Sequence, residues 1–277
     1  MKVNIFTMVK NEEDIIEYWI NYHGSIFGYR NLYIIDNYSD DGTYEKLLKY
    51  KKIGVNIRRE KNYTQKGRLI GELIKKRDDY DIAIPLDIDE FISHYDKTNR
   101  SLNPGHTMTY IENHLPIGDN VIFKCNYVQS VITEDNKDGY ANALLESPYG
   151  RYDDYGKQAK TFFNVKKWTG ELDHGNHYYC DDYILTDLVL VHYHCRNIDQ
   201  MIKKVRTNVN GLGYPEDIET LTKILSDNNN IPGSHHIQHM INILSNKFNL
   251  PFNVNVEDKF PYIKLDSLIN YFLKLSL

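Results

Sequence analysis

The stretch Ile82-Ala-Ile-Pro-Leu-Asp-Ile-Asp-Glu-Phe-Ile92 decides how the chain is read. A short apolar run, 82–86, reads as a buried strand, and two carboxylates follow it at once, at Asp87 and Asp89. Strand alternation would put both acids on one side of the chain. Two close carboxylates repel unless a cation or proton lies between them. Hard divalent cations favour such oxygens and leave positions open for phosphate. A bare pair of acids past a strand is ordinary turn chemistry. Its surroundings favour a site.

Upstream, residues 3–8, 32–35 and 55–58 read as strands. Between them 11–23, 43–52 and 64–77 carry helical spacing, with Asn11 as a cap, Glu12, Glu13 and Asp14 in a first turn, and Leu69, Leu73 and Ile74 on one face. The β-α-β-α-β-α-β order argues for an α/β fold, a mostly parallel sheet with right-handed crossovers. Ligands of such sheets lie beyond the carboxyl ends of the strands. Three polar clusters fall there: Lys10-Asn11-Glu12, Asp36-Asn37 and Asp87-Ile-Asp89. The first offers helix N-terminal N–H groups to a ligand. Asp36-Asn37 is either an Asx turn or a partner for a ribose or base edge. Gln65-Lys-Gly-Arg68 opens the third helix, where Lys66 or Arg68 could meet a diphosphate.

Downstream, 121–131, 161–165 and 185–194 read as strands, and 134–155 as a long surface loop or lid. Helical patterns follow at 198–209, 216–225, 235–248 and 265–275, separated by prolines. The expected division is an α/β domain over 1–197 and a helical C-terminal extension over 198–277. His192-Tyr-His194 ends a strand with both imidazoles facing one way, and imidazole can complete a metal shell with a carboxylate. His174-Gly-Asn-His177 lies in a turn-like loop. His235-His-Ile-Gln-His239 lacks the glutamate of a zincin helix and reads as a helix face.

Composition narrows the field. The chain has 277 residues, 41% of them apolar, and no run approaches the ~18 apolar residues of a membrane span. A net charge of -5 argues against broad nucleic-acid binding. Three cysteines with no CxxC pair, and no apolar leader, suggest a reducing, cytoplasmic setting. The 23 tyrosines, with abundant Asn, Ile and Lys, read as AT-rich codon usage, a giant virus among the sources it fits. No GxSxG, P-loop or GxGxxG element is present.

Together, Met8-Val-Lys-Asn-Glu12, Tyr18-Trp-Ile-Asn-Tyr-His23, Tyr33-Ile-Ile-Asp-Asn-Tyr-Ser-Asp-Asp-Gly42, Leu86-Asp-Ile-Asp-Glu-Phe-Ile92 and Val191-His-Tyr-His-Cys-Arg-Asn197 resemble the GT-A glycosyltransferases, nearest the family-2-like and family-92-like branch. The resemblance implies a Rossmann-like catalytic domain that binds a nucleotide-diphosphate sugar of UDP or GDP type. It also implies a divalent metal, Mn or Mg. Asp89 would bind metal, and Asp87 the metal or the donor ribose. His192 would lie near the metal or diphosphate, and His194, an extra histidine, could take its place. Asp36 and Asn37 would meet the nucleoside, Val9 and Glu12 would line its pocket, and Gln65 and Arg68 would face the donor. Transfer to a glycan, protein or small-molecule acceptor would be inverting, with Asp173 as the first candidate base and Glu171 the second. A nucleotidyltransferase is disfavoured because the loop after the first strand lacks glycines. A non-catalytic nucleotide-sugar-binding protein remains an alternative. A haloacid-dehalogenase-like phosphatase is disfavoured by Phe91, two residues after the second acid.

Overall fold

The computed structural model describes residues 1–77, 79–116, 121–154, 160–164, 170–173, 175–227, 231 and 233–275. The chain forms two compact units: Met1–Ser130 with Pro148–His194 and Glu257–Leu277, and Val131–Ser147 with Cys195–Val256. Residues 257–277, expected within the C-terminal extension, lie in the first unit.

The first unit opens with β1 (Val3–Val9), α1 (Ile16–Phe27), β2 (Leu32–Asp36), α2 (Thr43–Lys51), β3 (Asn56–Arg59), α3 (Lys66–Lys75) and β4 (Ile82–Pro85). Every residue of β1 is buried, including Asn4 and Thr7, because both faces of the sheet are covered. The apolar face of α3, Leu69, Ile70 and Ile74, packs on one side with Phe6, Met8, Tyr33 and Ile35. On the other side α1 buries Trp19, Tyr22 and His23. The strands run β3-β2-β1-β4, all parallel. Chain order reverses between β1 and β4, so their carboxyl ends frame a topological switch point. Val9 pairs with Asp36 and Phe6 with Pro85, which brings the three polar clusters to one edge.

The sheet continues with β5 (Glu90–Asp96), β6 (Ser101–Asn103), and, after α4 (Thr107–His114), β7 (Val121–Ser130), β8 (Tyr149–Asp153), β9 (Lys160–Asn164) and β10 (Ile184–His192). Here antiparallel pairs predominate: β9 joins β4 to β7, and β10 lies parallel to β7 and antiparallel to β5. The sheet is therefore mixed, within the α/β class expected. Part of the lid expected at 134–155 is instead ordered structure. Residues 143–146 form a turn of helix, and β8 pairs with β7, its Gly150 backed against the Val128 side chain. Tyr155 and Val165 lie outside the described residues. Late in the chain β11 (Tyr262–Lys264) pairs with β8, and a last helix (Asp266–Leu275) buries Leu268 and Phe272.

The second unit is helical. Asn197 caps its first long helix, Ile198–Gly211, accepting from Gln200 N at 2.9 Å. Met201, Val205 and Val209 of that helix are buried, as are Ile237 and Met240 of the helix Ser234–Leu244. His236 meets Asn208 at 3.1 Å, in keeping with a packed helix face. No described helix is long and apolar enough to cross a membrane.

Candidate active site

The first polar cluster differs from its expected form. Asn11 has φ +56 and does not cap a helix; α1 begins only at Ile16. The N–H groups of Asn11, Glu12 and Glu13 donate to Ser39 Oγ, Thr43 Oγ1 and an Asp41 carboxylate oxygen, at 3.0, 2.9 and 3.2 Å. Those donors are spent on bracing the loop after β2, so they do not form an anion cradle. Val9 is buried, and its carbonyl accepts from Asn37 N at 2.8 Å. The Glu12 side chain is half-buried. Asp36 is fully buried and held by Arg59 at 2.7 Å and by Ser39 N at 3.1 Å. Asn37 donates to Glu60 O at 2.7 Å.

The acidic motif sits in a turn beyond β4, closed by Glu90 N donating to Asp87 O at 3.2 Å. Strand alternation does not apply in a turn, and the two carboxylates take different partners. Asp87 is ion-paired to Lys66 from the start of α3 and, at 3.0 Å, to Lys160 from β9. Asn176 Nδ2 also donates to it at 2.9 Å. Burial would raise the Asp87 carboxyl, but Lys160 and Lys66 outweigh it and hold the group well below the usual carboxylate range. Lys160 also meets Glu90 at 3.1 Å. Burial pushes Glu90 up, and Lys160 only partly offsets that. The Lys160 ammonium would be lowered by burial, yet Asp87 and Glu90 keep it well above its ordinary value.

Asp89 turns the other way, to His192 Nε2 at 3.4 Å. Ligand atoms of Asp89, His192 and His194 all lie within 4.8 Å of one another. Asp87 is outside this group. The strand ends at His192, so His194 is not on it as expected, yet the two rings still come together at 5.2 Å. Tyr193 N donates to Asp89 O at 2.8 Å and fixes that corner. One carboxylate and two imidazoles form a donor set suited to a divalent transition ion.

Gln65, just before α3, and Arg68, on it, are exposed, and Arg68 bonds Gln65 and Glu72; of this stretch it is Lys66 that reaches the acidic turn. Asp173 accepts from His177 N at 2.7 Å, pairs with His177 Nδ1 at 3.2 Å, and accepts from the Tyr179 hydroxyl at 3.4 Å. Burial would raise Asp173, but the bonds from His177 outweigh it and lower the group. Glu171 is exposed. His174 lies outside the described residues. The sequence reading missed Lys160, Asn176 and Glu90. A visible signal existed for the first: Lys160 is a lone cation at the head of the run Thr-Phe-Phe, a strand whose every residue is buried.

No family model matches the chain, and no curated protein matches it. Solved structures similar to it include residues 1–349 of Staphylococcus aureus TarS in complex with UDP-GlcNAc. That pair has 12% identity and TM-score 0.44, covering 89% of this chain and 72% of the other. TarS 1–349 without that ligand gives 11% identity and TM-score 0.41, at 89% and 71% coverage. Glucosyl-3-phosphoglycerate synthase from Mycobacterium tuberculosis, with Mn2+, UDP-glucose and phosphoglyceric acid, gives 16% identity and TM-score 0.32, covering 46% of this chain and 44% of that one.

Proposed function

We propose that the chain is a metal-dependent glycosyltransferase that moves a sugar from a UDP- or GDP-type donor to an acceptor hydroxyl with inversion. The observation that carries this reading is the side-by-side placement of two sites at the switch point. One is the Asp89–His192–His194 donor set; the other is the Asp87 turn with its two lysines.

Asp89, His192 and His194 would hold the metal. A bound divalent transition ion such as Mn would supply positive charge to offset the negative charge developing on a leaving diphosphate. The chain's own residues do the rest. Lys66, one-tenth exposed at its side chain and paired with Asp87, would be the cation offered to the donor phosphates. Asp36 and Asn37, at the end of β2 beside Val9, would border the nucleoside at the same edge, and Glu12, in the loop that braces the turn after β2, would line its pocket. Asp173 is ionised at neutral pH and accepts the acceptor's proton. His177, bonded to both Asp173 oxygens, orients it.

A thermal-shift panel of UDP- and GDP-sugars, each with and without MnCl2, tests the reading. One donor class is expected to raise Tm only with metal, and Asp89→Ala to abolish both the shift and transfer. Full turnover by Asp89→Ala would exclude the assignment. Donor binding without hydrolysis or transfer to any acceptor would mark a binding protein instead.

A further inference from the structure

The short segment that carries Asp173 is fastened at three separate points, two to the acidic turn and one to α3. Lys160 supplies the first. Its side chain is 2% exposed, and an ammonium has three N–H donors. Its partners are Asp87 at 3.0 Å, Glu90 at 3.1 Å and the Gly175 carbonyl. Asn176 supplies the second. It is fully buried, holds φ +60, and donates to the other oxygen of Asp87 at 2.9 Å. Gly67 supplies the third. A Cβ there would stand 2.1 Å from the Leu172 carbonyl oxygen and 2.5 Å from that of Asp173, so the segment lies flush on the backbone of α3. Between these points Asp173 is locked to His177.

We propose that Lys160 is a positioning residue. It ties the segment bearing Asp173 to the Asp87 turn and so sets the register between the donor side and the proton-accepting side of the site. The proposal rests on the glycosyltransferase reading, with Asp173 as the base. Lys160 is too deep to touch substrate itself. A buried ion pair is not itself a requirement of a stable sheet, since well-packed apolar residues often replace a whole pair at no loss of stability. What a methionine could not do is hold Asp87, Glu90 and Gly175 at once. A shift of about 1 Å in a reacting group is enough to cost roughly 100-fold in rate.

The test compares Lys160→Met, Asn176→Ala and Gly67→Ala with the wild type in the full chain. The measurements are hydrogen exchange of a peptide spanning 170–177, calorimetric affinity for UDP with Mn2+, and kcat and KM for transfer. All three variants are expected to speed exchange of that peptide. kcat should fall by about 100-fold in Lys160→Met, while UDP affinity changes by less than about threefold, a difference under 1 kcal/mol. Gly67→Ala and Asn176→Ala leave the lysine in place and keep the test open if Lys160→Met does not fold. Unchanged exchange in the variants, or equal losses in UDP affinity and kcat, would overturn the proposal. If the wild type transfers no sugar, the functional reading fails, and exchange alone then shows whether the fastening exists.

Discussion

At the scale of the residue, Asp87 and Asp89 stand two positions apart and have different chemistry. Asp87 is saturated by Lys66, Lys160 and Asn176, whereas Asp89 faces two imidazoles. In the proposed metal site Asp87 would therefore act on the cation through its charge, and His194 through coordination. The two effects separate by salt: a charge effect is screened over a Debye length of about 10 Å at 0.1 M and 3 Å at 1 M, only weakly for charges as buried as Lys66 and Lys160, whereas a coordination bond is not screened at all. His194→Ala is expected to weaken Mn2+ binding by tenfold or more, since removing even an outer-shell partner of a metal ligand costs about 10–100-fold. That loss should be insensitive to ionic strength. Asp87→Asn uncovers two lysine charges beside the site, so its loss should shrink as salt rises. Mn2+ titrations followed by electron paramagnetic resonance at low and high salt decide this. Identical salt dependence in the two variants would refute the division of labour. The sequence named both acids and both histidines, but it could not separate their roles. That separation comes from a turn that breaks alternation and from cations 21 residues before and 73 residues after Asp87.

At the scale of the element, the half of the fold built from local alternation was legible. β1, β2, β3, β4 and the helices between them fall within a few residues of their expected spans, because apolar periodicity and turn residues both mark them. The start of α1 was misread, since an acidic first turn after Asn11 mimics a cap; the left-handed Asn11 instead belongs to the loop contacts with Ser39 and Asp40. β5 was hidden inside the acidic motif, and α4, with Thr, Asn and His among its eight residues, has little apolar stripe to read. The helix Asp266–Leu275 was expected as a tail element. Its Phe272 is fully buried and meets the rings of Tyr18, Tyr22 and Phe91 at 5.9, 5.4 and 5.1 Å. Truncating a buried Phe to Ala typically costs about 3–5 kcal/mol. Phe272→Ala should therefore destabilise the first unit by that amount in chemical denaturation. A cost below about 1 kcal/mol, the level of an ordinary surface change or less, would show that the helix is a dispensable appendage.

At the scale of the whole molecule, the same aromatic layer sets how the chain responds to acid. His23 is fully buried among Trp19, Tyr22, Phe27 and Phe91. Its Nδ1 lies 2.9 Å from the Trp19 carbonyl, which can only accept, so Nδ1 carries the proton. Nε2 is left buried with no hydrogen-bond partner, and protonating it would add a charge with nowhere to go. Burial accordingly pulls the imidazole down to about 3, against an ordinary 6.5. The unfolded chain takes up this proton as pH falls through about 6.5, while the folded chain resists until about 3. The neutral ring's stability is thus fully present above the unfolded value and drains away on acidification. By linkage, the loss between pH 7 and 4.5 is about 2.5 kcal/mol from this one group. His23→Phe keeps the ring packing and removes both the orphan nitrogen and the titration. Its unfolding free energy should fall by about 2.5 kcal/mol less than the wild type's over that interval. Denaturant curves at the two pH values, read through Trp19 fluorescence in a Trp168→Phe background, measure the difference. Parallel losses in the two proteins would mean that His23 already carries its charge in the folded state, and that the aromatic layer admits water.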